Sequence, residues 1–175
     1  MLILKKTLYQ HNKNLFHHFS FYKKHLIHLI PLTEEQFVAI NVNDPVEKVA
    51  DDYEASIRQE FRSLTDIPSF DLLLLGIGPD GHTASLFPNH PLLNETNRLV
   101  TFITDSPKPP PKRITMTYPL INNARNSIFT VPGKSKADIL KKIFEDKYDL
   151  PAARVQSTNV YWLFDNDSAP SVLEI

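Results

Sequence analysis

From residue 46 to residue 64 apolar side chains recur at intervals of three and four: Val46, Val49, Ala50, Tyr53, Ile57, Phe61 and Leu64. That period puts them on one face of a helix, and Asp44-Pro45 supplies a helix start with proline at its first position. Residues 71–77 (DLLLLGI) follow a different rule. The run is continuous rather than alternating and too short for a helix, which predicts a strand buried on both faces, as in a parallel sheet covered by helices. Shorter apolar runs predict strands at 36–41, 99–104, 113–118, 127–131 and 160–164. Residues 21–30 (FYKKHLIHLI) read as a helix ended by Pro31, and 135–144 as another, with Gly133 just ahead of it. Strands that alternate with helices predict an α/β layered sheet. Full-length helices are few for a doubly covered sheet, so either helices are missing or a face or edge of the sheet stands open.

Composition narrows the chemistry. A chain of 175 residues fits one domain. Its formal net charge of −1 builds no long-range field for nucleic acid or an anionic membrane, so any recognition of anions must be local. The absence of cysteine excludes disulfides, thiolate catalysis and cysteine-ligated zinc, and fits a reducing compartment. No apolar run approaches the roughly 20 residues that span a bilayer. The first residues, MLILKKTLYQHNKN, invert the charge order of a signal peptide, so a cytoplasmic location is expected. His17 and His18 are adjacent and His25 and His28 lie three apart, but no third ligand accompanies them; a solvated helix face explains them better than a metal site.

Glycine is scarce, four residues against 14 prolines, yet Gly76, Gly78 and Gly81 fall within six positions. Together they match G-x-G-x-x-G after a predicted strand. A dinucleotide site would also need a long helix after the last glycine and an acidic residue about 20 positions on. Here Pro88 and Pro91 follow at once, and Glu95 sits in a loop-like stretch. What remains is a strand that leads into Pro79-Asp80-Gly81-His82-Thr83 and then a short helix, whose free N–H groups would suit a phosphate or a developing oxyanion. His82 suits proton transfer near neutral pH, or else bonds a loop carbonyl. Asp80 caps the helix or fixes the turn. Residues 107–112 (PKPPPK) fit a polyproline ligand of SH3 type, but the strand predicted immediately afterwards anchors them as a rigid loop on the domain.

Residues 71–88 (DLLLLGIGPDGHTASLFP) resemble the signature of the 6-phosphogluconolactonase family. The similarity continues through 89–93 (NHPLL), 106–117 (SPKPPPKRITMT), 133–140 (GKSKADIL) and 162–165, with a weaker stretch at 21–41. The resemblance implies a three-layer α/β sandwich with a mostly parallel central sheet. It implies hydrolysis of 6-phosphoglucono-lactone to 6-phosphogluconate in the pentose phosphate pathway, with the small sugar-phosphate lactone as partner and no metal or organic cofactor. In that scheme His82 activates water, Asp80 orients it, and backbone around Gly78, Gly81 and Thr83 holds the oxyanion. Lys108 and Arg113 would bind phosphate, with Lys136 as a third cation. Related deaminases follow the same histidine turn with Phe-Asn-Glu-Pro; here Ser85-Leu86-Phe87-Pro88 stands instead, without the glutamate.

Family members also begin with a Gly-Ser/Thr-rich loop that cradles phosphate and an Asp-Glu-Arg segment that reaches the substrate. Residues 1–19 contain neither glycine nor arginine and match neither part. The expected organisation is therefore a divergent segment at 1–19 and a partial lactonase-like domain at 20–175, with the family's N-terminal strands and helices missing. Two readings follow: a lactonase whose N-terminal part is absent from this sequence, or a catalytically incomplete domain that binds sugar phosphates or a protein partner.

Overall fold

The computed structural model describes residues 29, 38, 40, 41 and 43–170. All of the helix expected at 21–30 except residue 29, half of the strand expected at 36–41, and the four histidines considered above lie outside these residues.

Helix α1, Val46–Glu60, buries Val46, Val49, Ala50, Tyr53 and Ile57, the face predicted by the three-and-four spacing. It stops four residues before Leu64. Arg62 turns into the left-handed region at φ 49°, and the amides of Arg62 and Ser63 close back on the carbonyls of Gln59 and Arg58. This Schellman closure ends the helix against its own last carbonyls, and Leu64 is left in solvent.

Strands β1 (Leu73–Leu75), β4 (Asn126–Thr130) and β5 (Asn159–Leu163) form a parallel sheet in the order β1-β4-β5. Strands β2 (Val100–Ile103) and β3 (Arg113–Met116) form a separate antiparallel pair, against which α1 packs. Two short helices complete the order, α2 (Tyr118–Asn122) and α3 (Ala137–Phe144). The architecture is an α/β sandwich with a mostly parallel sheet.

The parallel register explains which face is core. Leu73, Ser127 and Val160 stand abreast, as do Leu75, Phe129 and Trp162. Phe129 stacks on Trp162 at 4.1 Å, and Phe144 of α3 meets the same indole edge-on at 5.2 Å. The alternate positions point the other way: Leu74, Tyr161 and Leu163 remain 43–53% exposed. The expectation that 71–77 is buried on both faces is therefore corrected, since among the described residues the second face is left open.

Candidate active site

The chain leaves the carboxyl end of β1, the edge where parallel sheets present ligand sites. Residues 76–82 then close a tight turn: the Gly81 N–H donates to the Gly78 carbonyl and the Gly78 N–H to the His82 carbonyl, both at 2.9 Å. Gly81 sits at φ 82°, a conformation that favours glycine. A Cβ on it would fall 2.9 Å from that of Leu150. Gly78 serves by close approach instead. A side chain there would collide with Nδ1 and Cε1 of His82, so the imidazole lies directly on the Gly78 backbone. From the far side Ala152 donates its N–H to the Gly81 carbonyl at 3.0 Å, and the Tyr118 hydroxyl holds Pro151 at 2.9 Å.

The helix expected after Gly81 is absent. Thr83 and Leu86 pair across a reverse turn, with Leu86 N–H on the Thr83 carbonyl and Ala84 at φ 50°. The Thr83 hydroxyl donates to the Gly76 carbonyl at 2.9 Å, and the Ser85 N–H to Thr115 Oγ1 on β3 at 3.1 Å. These anchors favour a reversal over helical winding. The oxyanion role expected of Gly78 and Gly81 meets the same correction, because both amides are engaged inside the turn.

His82 and Asp80 are brought together as expected. His82 is buried, with Nδ1 2.6 Å from Asp80 Oδ1, and the same oxygen accepts Lys108 Nζ at 2.9 Å. Burial alone would raise the Asp80 carboxyl, but the bonds from Lys108 and His82 override it and hold the group at about 2. For His82, burial pushes the imidazole below its usual range; Asp80 opposes this, while the Lys108 and Arg113 cations act with burial. The ring is thus neutral near pH 7. With its proton on Nδ1, donated in a hydrogen bond to the ionised Asp80, the neutral ring keeps its lone pair on Nε2.

Beside the ring lies a cavity of about 220 Å³, with His82, Lys108 and Lys136 on its polar side and Ile77, Ala84 and Met116 on its apolar wall. Lys136, just ahead of α3, donates to the Ile77 carbonyl at 2.8 Å. Asp165 steadies the start of this segment by accepting the Gly133 N–H.

Arg113 departs from expectation. Its side chain is buried, and Nε donates to the Pro110 carbonyl at 2.9 Å while Nη2 donates to those of Lys108 and Pro109 at 2.8 Å. Arg113 does not line the cavity. The free fork expected for phosphate is instead turned back on the proline loop. Sequence reasoning also passed over three supports of the turn. Phe87 lies 4.6 Å from the His82 ring, Thr115 holds Ser85, and the 150–152 segment buttresses Gly81. Phe87 was within the signature, but nothing local marked Leu150 or Ala152.

A family model described as glucosamine-6-phosphate isomerases/6-phosphogluconolactonase matches residues 12–162. A human 6-phosphogluconolactonase is 48% identical over 155 residues, which are 86% of this chain and 60% of that protein. Among solved structures, a 6-phosphogluconolactonase from Thermotoga maritima is 31% identical with a TM-score of 0.69, covering 83% of this chain and 63% of that one. One from Trypanosoma cruzi is 28% identical with a TM-score of 0.73, covering 89% and 66%. The chain thus spans about 60% of the length of the human relative.

Proposed function

This chain belongs to the glucosamine-6-phosphate isomerase/6-phosphogluconolactonase family, and on that footing we propose that its cavity takes 6-phosphoglucono-lactone and hydrolyses it to 6-phosphogluconate. The observation that carries the reading is the single carboxylate oxygen of Asp80 that joins His82 Nδ1 to Lys108 Nζ at the cavity. A lactone is a cyclic ester. Its hydrolysis needs an activated water, a site for negative charge and a proton for the departing ring oxygen. Nε2 of His82 accepts a proton from water as the water oxygen bonds to the carbonyl carbon. When the tetrahedral intermediate collapses, the bond to the ring oxygen breaks and that oxygen takes the proton back from His82. Such acid–base transfer contributes about 10²–10⁴-fold. Asp80 keeps Nδ1 protonated and the ring oriented. Lys108 and Lys136 offer the cationic side on which the phosphate rests; Arg113 holds the 106–111 loop that carries Lys108.

Within the family, the 85–88 segment supports lactone hydrolysis over sugar-phosphate deamination. Ser85, Leu86 and Phe87 are buried there, and no carboxylate stands in that stretch to pair with His82. The pentose phosphate pathway in the cytoplasm is the setting this reading brings with it; among the described residues no helix is long and apolar enough to cross a membrane.

The test is a lactonase assay on the purified chain, corrected for spontaneous hydrolysis, beside a thermal melt with and without 6-phosphogluconate. Turnover that disappears in His82→Gln is the expected result; turnover unchanged in that variant overturns the assignment of the base. A raised melting midpoint without turnover would instead favour the binding domain, because a ligand selective for the folded state stabilises it.

A further inference from the structure

We propose that Arg113 is a positioning residue that sets the places of both Lys108 and His82. It acts through the backbone of the 106–111 loop on one side and the ring of Phe87 on the other. The proposal rests on the reading of His82 and Lys108 given above.

The first route is the loop. Residues 107–111 include four prolines, so this stretch has almost no amide donors with which to hold itself together. Its carbonyls must find donors elsewhere. Arg113 supplies them, spanning the carbonyls of Lys108, Pro109 and Pro110 within 2.8–2.9 Å. Ser106 closes the other end: its hydroxyl donates to the Lys108 carbonyl at 2.8 Å and its N–H to that of Pro111 at 3.1 Å. The Lys108 backbone is thus clamped from two sides, and its ammonium is delivered to Asp80. A planar guanidinium can reach several carbonyls in one geometry; a single ammonium on a flexible stem cannot.

The second route is aromatic. The Arg113 guanidinium carbon lies 5.3 Å from the centroid of Phe87, and that ring lies 4.6 Å from the His82 ring at a tilt of 33°. His82 is therefore held between the Gly78 backbone and a phenyl ring that Arg113 covers in turn. The charged groups facing His82 are Asp80, Lys108 and Arg113, with Lys136 lining the same cavity.

The experiment titrates His82 by NMR in the whole chain without substrate, its signal identified by its loss in His82→Gln. Arg113→Lys, Arg113→Met and Phe87→Leu are compared, each after a melt shows a folded protein. Arg113→Met removes a cation and loosens the clamp, so the His82 midpoint should rise. Arg113→Lys keeps the charge but not the fork, and should move toward the Met variant; Phe87→Leu should also raise the midpoint by opening the ring to water. A folded Arg113→Lys with the wild-type titration would reduce Arg113 to a charge and overturn the proposal. An unchanged titration in Phe87→Leu would remove the aromatic route. If Arg113→Met fails to fold, the other two variants decide. Where the chain turns over lactone, a displaced base or ammonium should lower kcat by roughly 10–100-fold in Arg113→Lys; a rise in KM alone would return the residue to the role of phosphate ligand. Because the titration needs no turnover, failure of the lactonase reading leaves this test standing.

Discussion

Two loops deliver polar side chains to the same cavity, His82 and Lys108, and they are built on opposite principles. The 76–86 turn is held largely by its own backbone: Gly81 donates to Gly78 and Gly78 to His82, and both glycines allow approaches that a side chain would block. The 106–111 loop has prolines where donors would be, and it depends on a buried guanidinium that arrives from β3. The first loop needs its own backbone, a backstop at 150–152 and the Thr115 hydroxyl of β3 that holds the Ser85 N–H. The second is shaped by a side chain that had been expected to point at the ligand. A motif residue can therefore act by holding a loop that brings another side chain to the cavity rather than by lining the cavity itself.

Substitutions can break this comparison in order of expected size. His82→Gln should lower turnover by about 10²–10⁴-fold with the melting midpoint little changed; an assay corrected for background hydrolysis checks it. Lys108→Gln and Lys136→Gln should each weaken binding of 6-phosphogluconate by about 1.5–3 kcal/mol, the value of a charge-assisted hydrogen bond. Calorimetry reads this directly, and equal losses would indicate that the phosphate lies between them. In the self-held turn, Gly78→Ala should destabilise the fold by about 1–3 kcal/mol, as overpacking does, and also displace the His82 ring. A denaturant melt beside the activity assay separates the two effects, and a folded, fully active variant would contradict the seating of the ring.

The smallest effect is on pH. The His82 imidazole is depressed in the folded state, chiefly by burial. The unfolded chain then binds more protons near the ordinary histidine range, so stability from this group is complete above about 6.5 and is lost as pH falls through the lower folded value. With His82 as the proposed base, turnover should rise with pH through a midpoint below about 6.5 and then level off. Asp80, held at about 2 against its ordinary 3.8, is lost as a partner only as pH falls through that lower window. A midpoint above the ordinary histidine value would show that Asp80 outweighs burial.

Much of this was legible along the chain. The α1 face followed from spacing, β1 from its apolar run, the histidine turn from its clustered glycines, and the rigid proline loop from the strand predicted after it. An open face was one of two alternatives and the chain did not choose between them, because a run of four leucines has the same pattern whether one side or both are covered; among the described residues only the neighbours of Leu74 decide. The reverse turn at 83–86 was read as a helix since proline limits its length but not its winding. Its outcome depended on Thr115 from β3 and the carbonyl of Gly76.

By itself the sequence determined that an imidazole and a carboxylate would share a glycine turn at a strand end, because residue types and short spacings act over a few bonds; that Lys108, Arg113 and Lys136 would join them was implied only by the family resemblance. Tertiary structure decided what each cation does. Lys108 and Lys136 face the cavity, whereas Arg113 is buried among the carbonyls of a loop whose prolines leave it few amide donors of its own. The physical reason is that a buried polar group must find its partner wherever the fold supplies one, and for a loop of prolines that partner came from the next strand.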